Sequence, residues 1–135
     1  MQEQNTVFLS YAREDSDAAK RLYEDLKNDG LSPWLDKESL LPGQNWEIEI
    51  RKAIKNSRYF IALLSSNSVD KRGFVQKEFK FALEVLDEVP ESQIFVIPAR
   101  LNECKIPYEK LRKYQYVDLF PSWEGGVQKI LRSMK

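Results

Sequence analysis

Arg58-Tyr59-Phe60-Ile61-Ala62-Leu63-Leu64 is the most hydrophobic continuous run in the chain, and it opens directly into Ser65-Ser66-Asn67-Ser68-Val69-Asp70-Lys71-Arg72-Gly73-Phe74-Val75-Gln76-Lys77-Glu78. A short apolar run without polar alternation suits a strand buried on both faces, as in a parallel sheet, so 58–64 is read as the central strand. The serine-rich stretch then forms a loop leading into an amphipathic helix from about Gly73 to Val89. That helix should bury Val75, Phe79, Ala82, Leu83 and Leu86 and stop before Pro90. Phe74 and Glu78 lie four apart and share one helical face, an aromatic plate beside a carboxylate. Spacing alone favours a core Phe74 and a solvated Glu78. The alternative is a flat ligand stacked on the ring and acted on by the acid.

Upstream, Thr6 to Tyr11 is another short run of β-formers. Asp15 or Ser16 is placed to cap a helix whose inner face is Ala19, Leu22, Tyr23 and Leu26, with Gly30 as its left-handed stop. Leu31 to Leu35 contains Pro33, whose missing backbone donor is tolerable near a sheet edge. Residues 36 to 45 make a long loop for a compact domain, and long ordered loops usually bind something. Asn45 can cap the following helix, whose inner face is Trp46, Ile50, Ala53 and Ile54.

Downstream, Gln93 to Ala99 reads as a buried strand, Arg100 to Arg112 as irregular, and Gln115 to Leu119 as a last short strand. Pro121-Ser122 introduces a final helix with Trp123, Val127, Ile130, Leu131 and Met134 on one side. Strands alternating with helices argue for a flavodoxin-like α/β fold: five parallel strands in the order 2-1-3-4-5, with helices on both faces. Ligands bind such sheets beyond the carboxyl ends of the strands, at the switch point between strands 1 and 3. The loops after Tyr11 and Leu64 should meet there and bring Arg13 near Glu78.

At 135 residues the chain is read as a single domain, 1–135, able to bury roughly two thirds of the surface its unfolded form exposes. The lone Cys104 permits no internal disulfide and fits a reducing cytoplasm as an incidental loop thiol. No apolar run approaches the roughly 20 residues of a membrane span, and Met1 to Asn5 lack the pattern of a signal peptide. A cytoplasmic protein without a membrane partner is expected. Twenty-one basic residues balance 21 acidic ones, so no long-range field attracts nucleic acid. With no histidine, Ser-His and Cys-His nucleophile pairs are absent and the commonest metal ligand is missing, so no metal is expected. The glycines match neither a Walker loop nor a dinucleotide fingerprint. A phosphotransfer receiver would need acids where Ser10-Tyr11 stands. Carboxylate chemistry remains, or none.

Val7-Phe8-Leu9-Ser10-Tyr11, Trp34-Leu35-Asp36 with Leu40-Leu41-Pro42-Gly43, and Phe74-Val75-Gln76-Lys77-Glu78 occur in an order and at separations that together resemble a bacterial-type TIR domain, the Toll/interleukin-1 receptor homology module, over essentially the whole chain. Each motif alone is only moderately specific. The resemblance implies two functions. In many such domains a glutamate on the third helix cleaves NAD, releasing nicotinamide and leaving ADP-ribose or a cyclised relative. In adaptors and receptors the fold serves as a non-catalytic interaction module, acting through the loop after strand 2.

By that resemblance Glu78 is the catalytic carboxylate, and Phe74 stacks on the nucleotide where the family usually has tryptophan. Arg13 pairs with phosphate or is a solvated surface charge. The adjacent position, basic in some members, is Ala12. Asp36 and Ser39 contact ribose or order the loop, and Tyr11 lines the rim or ends the core of its strand. Leu40, Leu41, Pro42, Gly43 and Trp46 belong to the interaction loop and its flank. Pro42-Gly43 would otherwise be an ordinary type II turn, and Trp46 a core anchor of its helix. NAD is then a substrate rather than a cofactor. Activation by self-association with other TIR domains, in bacterial signalling or antiviral defence, is the expected setting.

Overall fold

The computed structural model describes residues 5–35, 40–69, 74–90, 92–106 and 109–134, without the side chains of 68, 69 and 74–76. Strands β1 (Thr6–Ser10), β2 (Ser32–Leu35), β3 (Tyr59–Leu64), β4 (Val96–Arg100) and β5 (Val117–Asp118) form one sheet in the order β2-β1-β3-β4-β5. Every pairing is parallel. All six residues of β3 are buried, as a strand covered on both faces requires. β2 lies at the edge, where Pro33 omits a ladder donor on one side.

Alternation along β1 divides the core into two layers. Val7, Leu9 and Tyr11 pack with Ala19, Leu22 and Leu26 of α1 (Ser16–Asn28) and Val127, Ile130 and Leu131 of α6 (Trp123–Ser133). Phe8 and Ala12 join Ile50 and Ile54 of α2 (Trp46–Asn56) and Phe79, Phe81 and Ala82 of α4 (Phe74–Leu86). Two short helices, α3 (Ser66–Val69) and α5 (Glu109–Arg112), occupy the connections after β3 and β4. In the second layer Phe8 stacks on Trp34 and Phe60 at ring distances of 5.1 and 5.3 Å, and Phe79 meets Phe60 edge-on at 6.4 Å. This aromatic row runs from the edge strand to α4 and sets where that helix lies.

The local stops and starts follow from single residues. Gly30 ends α1 at a φ of 89°, and Asn45 caps α2 by accepting from the backbone N–H groups of Glu47 and Ile48. Ser122 caps α6 through Gly125 N–H. A Cβ on Gly126 would fall 2.5 Å from the carbonyl oxygen of Asp118, so α6 packs against the end of β5 at a distance only glycine allows.

Several expectations need correction. β4 starts at Val96 rather than Gln93. Phe60 N–H donates to Phe95 O, so pairing begins there, and the apolar Ile94 that extends the run is exposed. β5 shrinks to Val117–Asp118. Asp15 occupies the α1 cap position but makes no side-chain capping bond. Phe81 is buried two residues after Phe79, off the expected face, because it turns toward α2 and takes the Arg51 guanidinium over its ring at 4.4 Å. Trp46 is half-buried, packs against the rim of the second core layer and carries the Lys77 ammonium 5.3 Å from its ring, so it anchors α2 with one face and meets a cation with the other.

Candidate functional site

Glu78 lies wholly buried on α4, one residue before the Phe79 anchor. Ser10, the last residue of β1, is also wholly buried and donates its hydroxyl to Glu78 Oε1 at 2.5 Å. Ser10 pairs in register with Ala62 of β3, so this contact sits where strands 1 and 3 adjoin and the sheet order reverses. Strand parity gives Ser10 the same face as Phe8, toward α4.

A second set of contacts ties the loops together at the same end of the sheet. Asp15, buried in the 3-10 turn Arg13–Asp15, accepts from Ser65 Oγ at 2.5 Å and from Asn67 Nδ2 at 3.2 Å. Asn102, beyond β4, accepts from the Ser66 backbone N–H at 3.0 Å. The loops after β1 and β3 therefore meet as the topology requires, with Asp15 as the link. Arg13 is exposed on the turn beside it. Tyr11 packs in the α1–α6 layer, which makes it the end of the strand core.

Among the other candidates, Asp36, Ser39 and the Phe74 side chain lie outside the described residues, although residue 74 opens α4. In the loop before α2, Gln44 N–H donates to Leu41 O at 3.1 Å and Gly43 has a φ of 90°. With Pro42 and Gly43 as its central residues this is a type II turn. It lifts Leu41 into solvent at 67% exposure, while Leu40 is half-buried.

Electrostatics at the far side of the sheet are structural. The Arg100 guanidinium forks onto both carboxylate oxygens of Asp118 at 2.6 and 2.9 Å and donates to Cys104 O, joining β4 to β5. That bond holds the Asp118 carboxyl below the usual range and raises Arg100 further. Burial pushes the Cys104 thiol up, away from thiolate chemistry. Among the described residues no group of three or more His, Cys, Asp or Glu side chains could hold a metal ion. None of their helices is long and apolar enough to cross a membrane.

Ser10 and Asp15 were not among the site residues expected from sequence. Ser10 carried a signal nonetheless, as the one polar side chain inside the run Val7-Phe8-Leu9-Ser10-Tyr11. Asp15 was masked by its local fitness as a helix cap.

A parallel five-stranded sheet of order 2-1-3-4-5, with a buried acid at its switch point, defines a flavodoxin-like α/β domain. The model of the family described as TIR domain matches residues 7–131, and the chain belongs to that family. It is 26% identical over 132 residues to the bacterial uncharacterized protein y4cD of Sinorhizobium fredii, covering 97% of this chain and 20% of that protein. The chain thus spans about a fifth of the length of the curated relative it matches. Similar solved structures include the TIR domain of the Toll-related receptor TRR-2 from Hydra magnipapillata, with a TM-score of 0.77, 22% identity and coverage of 95% of this chain and 96% of that one. The TIR domains of the activated Roq1 resistosome, which directly recognizes the pathogen effector XopQ, give 0.75 at 20% identity, covering 97% and 99%. A metazoan TIR-STING receptor from C. gigas, in complex with 2',3'-cGAMP, gives 0.77 at 18% identity, covering 95% of this chain and 38% of that one. At these identities the likeness carries the fold.

Proposed function

We propose that this TIR domain cleaves the N-glycosidic bond of NAD, with Glu78 as the acting carboxylate, and that self-association activates it. The observation that carries this reading is the buried Glu78 held by Ser10 at the switch point. A carboxylate is costly to bury and is retained where a ligand or a reaction needs it.

The chemistry asks for one acid. When the bond between C1′ of the ribose and the pyridinium nitrogen breaks, its electron pair neutralises the ring, so nicotinamide leaves without the proton donor that ordinary glycosides require. The sugar left behind is electron-poor and oxocarbenium-like. Glu78 holds its hydroxyls and stabilises the developing positive charge. Water then adds to C1′ and gives up a proton to Glu78 or to solvent, yielding ADP-ribose, or a ring nitrogen of the adenine of the same molecule bonds to C1′ and closes a ring. Phe74, one helical turn before Glu78, stacks on the nucleotide, and the exposed Arg13 meets its phosphates.

Glu78 is covered in the single chain, so substrate reaches it only after its cover shifts. That supports an activity that waits on assembly with other TIR domains in bacterial signalling or defence. A second reading, a non-catalytic interaction module, is favoured by the exposed Leu41 on its type II turn and by Ile48, 53% exposed on α2. Incubating concentrated protein with NAD and measuring nicotinamide separates the two. Turnover that vanishes in Glu78→Gln with the fold intact supports the enzyme; none in the wild type, even under crowding, supports the module.

A further inference from the structure

We infer that Ser10 is a positioning residue for Glu78, holding its carboxylate in one orientation; this rests on the NAD-cleaving reading above. Ser10 stands in the apolar layer between Phe8 and Ala12 along β1 and opposite Ala62 on β3, and its side chain is wholly buried. An apolar residue would suit that place, because a buried hydroxyl is tolerated only when its hydrogen bond is made. The bond it makes reaches across 68 residues to Glu78 Oε1. Nothing local in β1 calls for a hydroxyl there.

The direction of the bond sets its consequence. An ionised carboxylate is an acceptor only, and 2.5 Å lies in the range of a hydroxyl donating to a carboxylate. Both partners ride on fixed elements: β1 lies between β2 and β3, and α4 is anchored by Phe79 against Phe60. Ser10 thereby helps to set the rotamer of Glu78. Without the hydroxyl the carboxylate loses one of the contacts that fix its orientation toward the developing cation. The role assigned to Ser10 runs through its bond to Glu78.

The test compares wild type, Ser10→Ala and Ser10→Thr for NAD cleavage, after thermal melting has shown which variants fold. Ser10→Ala should lower kcat on the order of 10- to 100-fold, the worth of one hydrogen bond to a charged group, with KM little changed. Ser10→Thr, which keeps the hydroxyl, should recover most of kcat. A second arm needs no turnover. With glutamate labelled at the side-chain carboxyl carbon, the Glu78 NMR signal is assigned by its absence in Glu78→Gln, and Ser10→Ala should displace it while Ser10→Thr leaves it near its wild-type position. An undisplaced signal in Ser10→Ala, an unchanged kcat, or equal losses in Ala and Thr would overturn the inference. Should the wild type release no nicotinamide, the functional reading fails and the NMR arm alone judges Ser10.

Discussion

Asp15 and Ser65, 50 residues apart, meet at 2.5 Å through a hydroxyl-to-carboxylate hydrogen bond that ties the turn after β1 to the first residue beyond β3. Both side chains are buried. Asp15→Ala should cost about 2 kcal/mol, because it leaves the Ser65 and Asn67 donors to find new acceptors. Ser65→Ala should cost less. The double variant should fall short of the sum by about 1 kcal/mol, as neighbours in one network do, in urea unfolding monitored by circular dichroism.

Gly126→Ala should destabilise the domain by about 2 kcal/mol. Its Cβ would stand 2.5 Å from Asp118 O and 2.8 Å from Leu119 Cδ2, and the first of these atoms is backbone that cannot swing aside. Gly125→Ala meets Ser122 Oγ at 3.1 Å, a side-chain atom able to yield, and should cost less. Thermal melts of the two variants side by side check the contrast.

Arg100 and Asp118 make stability depend on acid in a defined direction. The folded-state carboxyl of Asp118 lies below its ordinary 3.8 because Arg100 donates to it. Unfolding releases it to the ordinary value, so the pair's contribution is present above that value and is lost as pH falls through the lower folded one. Asp118→Asn should lower stability by about 1 kcal/mol at neutral pH, a modest figure for a partly exposed pair, and the gap to wild type should narrow as pH falls below 3.8. Urea midpoints across that range report it.

The turn before α2 supplies two contrasting variants. Gly43 holds a φ of 90°, so Gly43→Ala should cost about 1 kcal/mol and disturb the presentation of Leu41. Leu41→Asp, at a side chain already in solvent, should leave the melting temperature unchanged while weakening self-association. Sedimentation at rising protein concentration distinguishes the two effects; equal association of wild type and Leu41→Asp would remove this residue from the interface.

Much of the architecture was legible because its signals are local or periodic. Val7 to Leu9 and Tyr59 to Leu64 announce strands buried on both faces, Pro33 marks an edge, and Gly30, Asn45 and Ser122 stop and start helices where they stand. The errors arose where distance in space outweighs distance in sequence. Asp15 reads as a helix cap until Ser65 and Asn67 are brought to it. Phe81 breaks the helical stripe because α2 offers it a second surface. Ile94 extends an apolar run ahead of the point where pairing with β3 begins. Within the candidate site, the spacing of Phe74 and Glu78 was visible, but neither the burial of Glu78 nor its bond to Ser10 could be read from residues so far apart.

The alternating sides of β1 have one more consequence. A slip of this strand by a single position against β2 and β3 would exchange its two sets of side chains, facing Glu78 with Leu9 or Tyr11 and sending the hydroxyl toward α1 and α6. Insertions and deletions within β1 are therefore tolerable only in even steps, and a one-residue change there would disarm the acid without altering a single amino acid on its own helix.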